Sequence, residues 1–272
     1  MTNSKAQIVA TIGPSSAKHE ILLSMIRSGL SIVRLNFSWA DLEEHTKQID
    51  LIHRVGKEEG KNIPIIIDLP GPRIQQVGGH TYDKNIPYSL ADNDKGYIKY
   101  GIEKKVEYFA LSFVSCSEDV LMCKKFINDC GGKQMVIAKI ERQKAMEGLG
   151  GIIEVSDAIM IARGDLGKEV PIEKIPFIQG DIIRKCKIAG KPVITATEML
   201  FSMVSNPIPT MAEVTDVANA IIQGSDAVML SNETTIGKYP VEAVAIMGKI
   251  VVEAEKHLPE SAVFHPLLEL KN

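Results

Sequence analysis

Residues 192–230 have the sequence PVITATEMLFSMVSNPIPTMAEVTDVANAIIQGSDAVML, which predicts two strands separated by one helix. The first and last parts, Pro192–Thr197 and Asp226–Leu230, are short apolar runs typical of strands that are buried on both faces. Thr210 is a suitable N-cap for a helix over Ala212–Ile222, and Gly224 lies where that helix should end. This stretch therefore predicts a β-α-β unit of a parallel sheet.

The same pattern recurs along the whole chain of 272 residues. Helical patterns, such as Lys18–Ser28 after Ser15-Ser16 and Glu118–Asn128 after Ser117, alternate with apolar runs. The eight apolar runs are Gln7–Thr11, Ser31–Asn36, Ile63–Leu69, Tyr108–Phe113, Met135–Ile140, Ala158–Ala162, Pro192–Thr197 and Asp226–Leu230. An open doubly wound sheet is the alternative, but the TIGPSS loop after the first run lacks the glycines of its phosphate loop. The sequence therefore favours a closed parallel (β/α)8 barrel, the TIM barrel fold.

One domain is the simplest organisation, because barrels of this class commonly have about 250 residues. We expect the barrel to span residues 1–257 and residues 258–272 to form a C-terminal tail. The stretch Arg73–Tyr88 interrupts the alternation, and its Gly78-Gly79 and Pro87 predict an irregular loop or a small hairpin after the third strand.

Composition limits the classes of partner. The formal net charge is -3 and the basic residues are scattered, which argues against nucleic acid. The apolar runs are far shorter than the roughly 20 residues that cross a bilayer, and residues 1–7 lack a signal-peptide core. We therefore expect a cytoplasmic protein with no membrane partner. Cys116, Cys123 and Cys130 recur at sevens like one stripe of a helix, so these thiols and Cys186 are expected to be reduced and packed.

Polar residues follow the predicted strands, where a barrel of this kind carries its chemistry. They are Arg34, Asn36, Ser38, Asp68, Lys139, Glu141, Arg163–Gly167, Thr195–Glu198 and Ser231–Glu233. Because strand side chains alternate between faces, Arg34, Asn36 and Ser38 point the same way, and so do Lys139 and Glu141. Each residue alone is more often structural than functional. Their grouping at successive strand ends of one barrel favours a common site.

The charges at these strand ends suit enolate chemistry. Glu141 and Asp165 come from adjacent strands and supply two carboxylates for Mg²⁺ or Mn²⁺ with open positions for substrate oxygens. Lys139 and Arg34 supply positive charge for an oxyanion and a phosphate. The alternative is a pair of carboxylates that Lys139 and Arg163 neutralise, which would bind no metal.

The remaining strand ends suit carboxylate binding and proton transfer. The glycines of residues 164–167 allow backbone N–H groups to approach a carboxylate closely. Thr197 is placed to pass a proton to or from a carbon next to a carbonyl group.

These segments resemble the pyruvate kinase family in an ordered series across almost the whole chain. The matching segments are Ala10–Ser16, Val33–Ser38, Asp68–Pro72, Ser112–Val114, Lys139–Glu141, Ala162–Gly167, Lys191–Leu200, Asp216–Ala220 and Gly237–Pro240. An ordered series of this kind is far more specific than any single motif. The resemblance implies that family's catalytic barrel and a site for phosphoenolpyruvate.

The resemblance also implies roles for individual residues. Glu141 and Asp165 match divalent-ion ligands, and Lys139 matches the residue that stabilises the enolate and the transferring phosphoryl group. Arg34 matches a phosphate contact. The positions that match the substrate pocket are Ala162, Arg163, Gly164, Asp165, Ser112 and Thr197. The positions that match side-chain ligands of a potassium ion are Asn36, Ser38 and Asp68.

Several positions depart from the family pattern. Arg73 stands where potassium-dependent members carry Glu and potassium-independent members carry Lys, so we expect its guanidinium to lie against Asp68 and K⁺ to be dispensable. The family usually inserts a lid domain after its third strand and appends a regulatory domain after its eighth helix. We expect only the loop 73–88 and the tail in those places. The remaining departures are Pro70, Gln75, Trp39 for a usual His, Ile236 where a basic residue is frequent, Glu198 for a usual Gln and Asn232 for a usual Gly.

Three functions are compatible with this pattern. The first is a metal-dependent enzyme that binds phosphoenolpyruvate, pyruvate or a related 2-oxo acid and stabilises its enolate, with chemistry shifted toward carbon-carbon or carbon-proton steps. The second is a phosphotransferase that uses ADP, with a partner chain serving as the lid. The third is a non-catalytic ligand sensor. The expected partner is a small molecule, and a homo-oligomer or a partner protein is compatible with the sequence.

Overall fold

The fold is a closed barrel of eight parallel strands. The computed structural model describes residues 4–76, 79–81 and 90–267. In chain order the strands are β1 (Gln7–Thr11), β2 (Ile32–Asn36), β3 (Ile65–Leu69), β4 (Ile74–Gln76), β5 (Gly79–Thr81), β6 (Tyr108–Leu111), β7 (Met135–Ile140), β8 (Ala158–Ala162), β9 (Val193–Ala196) and β10 (Ala227–Leu230). β4 and β5 form a separate antiparallel hairpin in the connection after β3, and the other eight strands form the barrel. β1 pairs with both β2 and β10, which closes the sheet. The predicted parallel (β/α)8 barrel is confirmed.

Helices connect the barrel strands. They are α1 (His19–Arg27), α2 (Leu42–Glu58), α3 (Asp92–Glu103), α4 (Ser117–Asp129), α5 (Leu149–Val155), α6 (Arg163–Leu166), α7 (Ile175–Ile188), α8 (Met211–Ile222), α9 (Asn232–Thr235) and α10 (Pro240–Glu255). Three short 3-10 helices add Gln143–Met146, Ile172–Lys174 and Phe201–Val204. Among the described residues, none of these helices combines the length and the apolar character needed to cross a membrane.

The sequence predicted one helix cap correctly and misplaced two. Thr210 caps α8 in a reciprocal capping box, in which the carboxylate of Glu213 accepts a hydrogen bond from the backbone N–H of Thr210. α4 is capped by Cys116 rather than by Ser117. α1 begins after Lys18 and has no side-chain cap, because the hydroxyl of Ser16 is bonded to the preceding loop instead. All four cysteines are free, and Cys123 and Cys186 are buried.

Alternation along the strands builds two apolar layers. In β3, whose sequence is IIIDL, Ile65 and Ile67 face outward and pack in the layer beneath the helices. Ile66 faces inward and joins the cluster that fills the barrel. Asp68 is the next inward position, so it lies above this apolar layer, toward the C-terminal strand ends. The same alternation places Arg34 of β2 and Lys139 of β7 at that level.

The C-terminal segment covers the opposite end of the barrel. Leu267 is buried in the cluster that fills the barrel. Its N–H donates to Oε1 of Gln7 at 2.8 Å, and its carbonyl accepts from the hydroxyl of Tyr108, so both contacts are to first residues of strands. Two residues earlier, the N–H of His265 donates to Oδ1 of Asp226 at 2.6 Å. The described part of the predicted tail therefore closes the N-terminal face of the barrel, away from the polar strand ends.

Candidate functional site

The polar strand ends meet in a buried network around Asp68. Nε of Arg34 donates to Oδ2 of Asp68 at 2.9 Å, and Nζ of Lys139 donates to Oδ1 at 3.1 Å. Nη1 of Arg34 is held by the hydroxyl of Thr11 at 2.9 Å. Burial alone would favour the neutral acid, but Arg34, Lys139 and Arg73 outweigh it and hold the pKa of Asp68 below its usual range. Asp68 is therefore ionised and fixes the two cations.

Ser112 links one further cation, Arg73, to this network. Its hydroxyl oxygen accepts from Nζ of Lys139 at 2.7 Å and from Nη2 of Arg73 at 3.1 Å. The same hydroxyl donates to Oδ1 of Asp68 at 3.4 Å. Nε of Arg73 donates to the carbonyl of Pro70 at 2.7 Å. Arg73 therefore interacts with Asp68 through the hydroxyl group of Ser112 and by electrostatic attraction, rather than by a direct hydrogen bond.

Glu141 lies fully buried beside Lys139. Its Oε1 accepts from the N–H of Phe113 at 2.6 Å, and Phe113 holds a left-handed backbone conformation. Its Oε2 lies 3.2 Å from Nζ of Lys139 but has no hydrogen bond. Burial raises the pKa of Glu141, Lys139 opposes that effect, and the nearby carboxylate of Asp165 adds to it. One oxygen of a buried carboxyl group is consequently left for another partner.

The donor chemistry of Glu141 and Asp165 fits a divalent ion. They follow the adjacent strands β7 and β8, and their charges act on each other. Within the described ranges no group of three or more His, Cys, Asp or Glu side chains could hold a metal ion. A site built from two carboxylates would leave most ligand positions to substrate oxygens and water, as is typical of Mg²⁺.

The loop after β8 and the end of β9 are bonded to each other. The N–H of Gly164 donates to Oγ1 of Thr197 at 2.8 Å, and that hydroxyl donates to the carbonyl of Ala196 at 2.6 Å. Thr197 and Glu198 both have positive φ angles, of 70° and 55°, which non-glycine residues rarely adopt. The end of β9 is therefore a strained turn that a specific set of contacts must hold.

Arg163 supplies those contacts. Its Nη2 donates to the carbonyl of Thr197 at 2.7 Å and to that of Glu198 at 3.2 Å. Its Nη1 donates to Oδ1 of Asp216 at 2.8 Å and to Oε1 of Gln179 at 3.2 Å. The guanidinium thus faces α7 and α8 rather than the two metal-site carboxylates. Arg163 is the one residue of the 162–165 loop that does not line the pocket described next.

A pocket of about 360 Å³ opens above the network, and we call it the acid pocket. It is lined by Arg34, Asn36, Trp39, Asp68, Arg73, Lys139, Met160, Ala162, Gly164, Asp165, Lys168, Thr197, Glu198, Met229, Ser231 and Asn232. Of the predicted site residues, Ser112 and Glu141 lie fully buried behind this lining, and Ser38 lies outside it. The structure therefore brings most of the predicted residues to one pocket.

The residues of the predicted monovalent site differ in how their oxygens are bonded. Asn36 accepts from the N–H of Ser38 at 3.1 Å, and the hydroxyl of Ser38 is buried without a hydrogen bond. Both oxygens of Asp68, by contrast, are taken by Arg34 and Lys139. Ser38 thus keeps an open oxygen for a cation, while Asp68 is already neutralised by the chain's own charges.

Asp94 is a buried carboxyl group that the sequence did not single out. Its Oδ1 accepts from the N–H of Gly71 at 3.2 Å, and its Oδ2 has no hydrogen bond. Burial raises the pKa of Asp94 to about 6, although the Gly71 N–H and Arg73 oppose this. In the sequence it is only an acidic residue in the first turn of a helix, which is a common feature. Thr11, the hydroxyl partner of Arg34, was missed for the same reason, because a Thr at a strand end is unremarkable in sequence.

The fold and this site define a (β/α)8-barrel protein whose C-terminal strand ends enclose a network of cations and carboxylates. The family described as "Pyruvate kinase, barrel domain" matches residues 3–89 and 80–244. A pyruvate kinase of Thermotoga maritima is 36% identical over 332 residues, covering 93% of this chain and 71% of the relative. One of Thermococcus litoralis is 37% identical, with 93% and 70% covered. One of Sporosarcina psychrophila is 36% identical, with 92% and 57% covered. The chain belongs to the pyruvate kinase family, which confirms the resemblance of its motifs.

Three of the departures from the family pattern lie near one another, beside Arg34. Trp39 and Asn232 line the acid pocket together with Arg34, and Ile236 lies further along the same side. Glu198 lines the acid pocket from the strained end of β9. For Gln75, the structure describes the backbone and not the side chain. Of these departures, Arg73 belongs to the network around Asp68 and Lys139, to which it bonds through Ser112.

Proposed function

We propose that this chain is a divalent-metal-dependent enzyme that binds phosphoenolpyruvate, pyruvate or a related 2-oxo acid and stabilises its enolate. The observation that carries the proposal is the ammonium group of Lys139, which is 5% exposed and lies between two buried carboxylates on the wall of the acid pocket. An enolate places its negative charge on one oxygen. A fixed ammonium group beside that oxygen lowers the barrier because the charge needs no reorganisation when the reaction occurs.

The surroundings of Lys139 keep it in place before substrate arrives. Its Nζ contacts Asp68 at 3.1 Å, Glu141 at 3.2 Å and Ser112 at 2.7 Å. Each such preorganised group typically contributes about 3 kcal/mol to transition-state stabilisation. Arg34 is fixed in the same way by Asp68 and is placed to contact a phosphate or a second anionic oxygen.

The part of the acid pocket at the ends of β8 and β9 suits the carboxylate of the substrate and proton transfer. Gly164 lines the pocket, and a Cβ atom there would lie 3.5 Å from the hydroxyl of Thr197, so the loop lies against β9. Thr197 is bonded on both sides and is therefore held in one orientation, from which it can relay a proton. Glu198 adds a carboxylate to the same wall.

Glu141 and Asp165 would hold the divalent ion, which when bound would supply a Lewis acid for the substrate's oxygens. Oε2 of Glu141 supports this role because it is buried and has no hydrogen bond. For the monovalent ion, the cations already on Asp68 support the proposal that K⁺ is dispensable. Ligand binding that rises steeply with K⁺ but not with an inert salt would contradict it.

The direct test of the metal site is calorimetric titration with oxalate, an analogue of the enolate of pyruvate, with and without Mg²⁺. We expect binding that requires Mg²⁺ and that is lost in Glu141→Gln and in Asp165→Asn. The matched control is Asp181→Asn, a carboxylate that pairs with Lys185 on the outer helix α7. If the two site variants bound oxalate as the unmodified protein does, the metal assignment would be wrong.

Phosphotransfer to ADP is a second candidate, because the relatives covering most of this chain are named pyruvate kinase. Against it stand Trp39 and Ile236 in place of polar or basic residues, since phosphoryl transfer depends on positioned positive charge. The alignment with the Thermotoga maritima relative runs over 332 positions, more than the 272 residues of this chain, so the relative has residues that this chain lacks. Only residues 70–91 join β3 to α3, which supports the absence of an inserted lid. A coupled assay for ATP formed from phosphoenolpyruvate and ADP decides between the two candidates. Substantial ATP formation would favour the kinase.

A further inference from the structure

A second cavity, of about 350 Å³, lies beside the acid pocket, and we call it the side cavity. It is lined by Thr11, Ile12, Gly13, Pro14, Arg34, Asn36, Trp39, Ala40, His45, Gln48, Ser231, Asn232, Thr235 and Ile236. Five of these residues also line the acid pocket, namely Arg34, Asn36, Trp39, Ser231 and Asn232. The two cavities therefore share a wall and lie side by side.

Apolar side chains form part of the lining of the side cavity. Ile12 and Pro14 come from the loop after β1, and Ile236 follows α9. Trp39 is 58% exposed and Ile236 is 61% exposed, so most of each side chain is not used in packing the protein itself. Large apolar side chains that remain open around a concave surface are typical of sites that bury an apolar part of a ligand.

The side cavity offers little charge for a polyphosphate. Arg34 is the single charged side chain among its described lining residues, and it is already bonded to Asp68 and Thr11. His45 also lines the cavity, but burial lowers its pKa, which keeps the ring neutral near pH 7. That ring is stacked on Phe37 at 3.9 Å and contacts the carbonyl of Trp39 at 2.8 Å. A nucleoside diphosphate would therefore find no free cation in this lining.

Contacts within the protein hold the walls of the side cavity in place. The hydroxyl of Thr234 donates to the carbonyl of Thr11 at 2.8 Å, and the N–H of Ser15 donates to the carbonyl of Thr235 at 2.9 Å. A Cβ atom on Gly13 would lie 2.8 Å from the side chain of Thr235, so the loop and α9 approach as closely as glycine permits. In the shared wall, the hydroxyl of Ser231 is buried without a hydrogen bond and is available to a polar group of the ligand.

We infer that the side cavity is a specificity subsite for an apolar substituent at C3 of a 2-oxo acid, such as a phenyl ring or a branched alkyl group. The inference rests on the proposed function, because it places the 2-oxo acid itself in the acid pocket. The acid group and the 2-oxo group bind between Lys139 and Thr197. The substituent extends past the shared residues into the side cavity and packs between Trp39 and Ile236.

The test compares oxamate with N-phenyloxamate, which carry the same 2-oxo carboxylate and differ by one phenyl ring. Calorimetry in Mg²⁺ should show that N-phenyloxamate binds roughly tenfold to a hundredfold more tightly, the effect of burying one aromatic ring. This ratio should fall below about threefold in Ile236→Lys and in Trp39→Ala, since each removes one apolar wall. It should be retained in Ile222→Lys, because Ile222 is a similarly exposed isoleucine, 54% exposed, at the end of α8.

Oxalate, titrated into every variant, reports separately on the acid pocket. If oxalate binds with Mg²⁺ but the two oxamates bind equally, the subsite is overturned while the proposed function stands. A ratio unchanged in both Ile236→Lys and Trp39→Ala would also overturn it. ADP that competes with N-phenyloxamate but not with oxalate would assign the side cavity to a nucleotide instead. Failure of oxalate to bind at all would overturn the proposed function and this inference together.

Discussion

Replacing Lys139 by methionine should destabilise the protein, because two buried carboxylates depend on its charge. Lys139 contacts Asp68 at 3.1 Å and Glu141 at 3.2 Å, and its side chain is 5% exposed. Methionine has nearly the volume of lysine, although it is one atom shorter, and it removes the charge and the hydrogen bonds of Nζ, so the effect reports mainly on polar interactions rather than on a cavity.

The size of the effect follows from what each carboxylate retains. Asp68 keeps Nε of Arg34 at 2.9 Å, whereas Oε2 of Glu141 loses its neighbouring cation and has no hydrogen bond. Removing one partner of a buried ion pair typically destabilises by about 3–5 kcal/mol. Because Asp68 remains paired, we expect the lower end of that range, about 3 kcal/mol.

The assay is urea denaturation followed by circular dichroism, in EDTA so that no metal contributes. The double variant Lys139→Met/Glu141→Gln should recover about 1–3 kcal/mol relative to Lys139→Met, since it also removes the unpaired charge. Lys168→Met, which breaks the exposed pair between Lys168 and Asp165, should change the free energy of unfolding by less than about 1 kcal/mol. The reasoning is refuted if Lys139→Met is as stable as the Lys168→Met control, or if the double variant is less stable than Lys139→Met.

Three further predictions concern positions around the site and at the far end of the barrel. Arg163→Met should weaken oxalate binding at least tenfold, because it releases the strained turn at Thr197; unchanged affinity in calorimetry would contradict this role. The pKa of Asp94 is about 6 in the folded protein, against the usual 3.8, so the folded protein binds this proton more tightly than the unfolded protein does. The stability that the bound proton contributes is therefore full at low pH and is lost as the pH rises through 6. Relative to Asp94→Asn, the free energy of unfolding of the unmodified protein should therefore fall by up to about 3 kcal/mol between pH 4 and pH 7. If urea denaturation gave the same pH dependence for both proteins, the pKa of Asp94 would be normal. Leu267→Ala should destabilise by about 2–3 kcal/mol, since this side chain closes the base of the barrel, and an unchanged denaturation midpoint would show that the segment is not docked in solution.

The architecture could be predicted from the sequence because each barrel strand is short, apolar and separated from the next by a helical pattern. The IIIDL sequence of β3 shows how one alternation decides both the core and the site, since it buries Ile66 and places Asp68 above it. The reciprocal cap at Thr210 was predictable for the same reason, because all of its contacts lie within four residues.

The sequence alone does not show which partner each polar side chain contacts. Arg163 lies in a loop that matches the substrate pocket, yet its guanidinium bonds to the carbonyl of Thr197 and to Asp216, contacts that depend on the tertiary structure. Leu267 looked like part of a tail, because nothing local shows that it packs beneath β1 and β6. Asp94 was hidden for a similar reason, since burial and not sequence pattern shifts its pKa.

The most direct test of the central claim is exchange of the methyl protons of pyruvate into D₂O, followed by NMR. Exchange requires that a proton leave C3 while its electron pair moves onto the C2 oxygen, and that deuterium then return to C3. We expect exchange that requires Mg²⁺, that is abolished in Lys139→Ala and that persists in Lys185→Ala, since Lys185 pairs with Asp181 on the outer helix α7. Exchange that is absent from the unmodified protein, or that survives in Lys139→Ala, would contradict the assignment of this barrel as a site that stabilises an enolate.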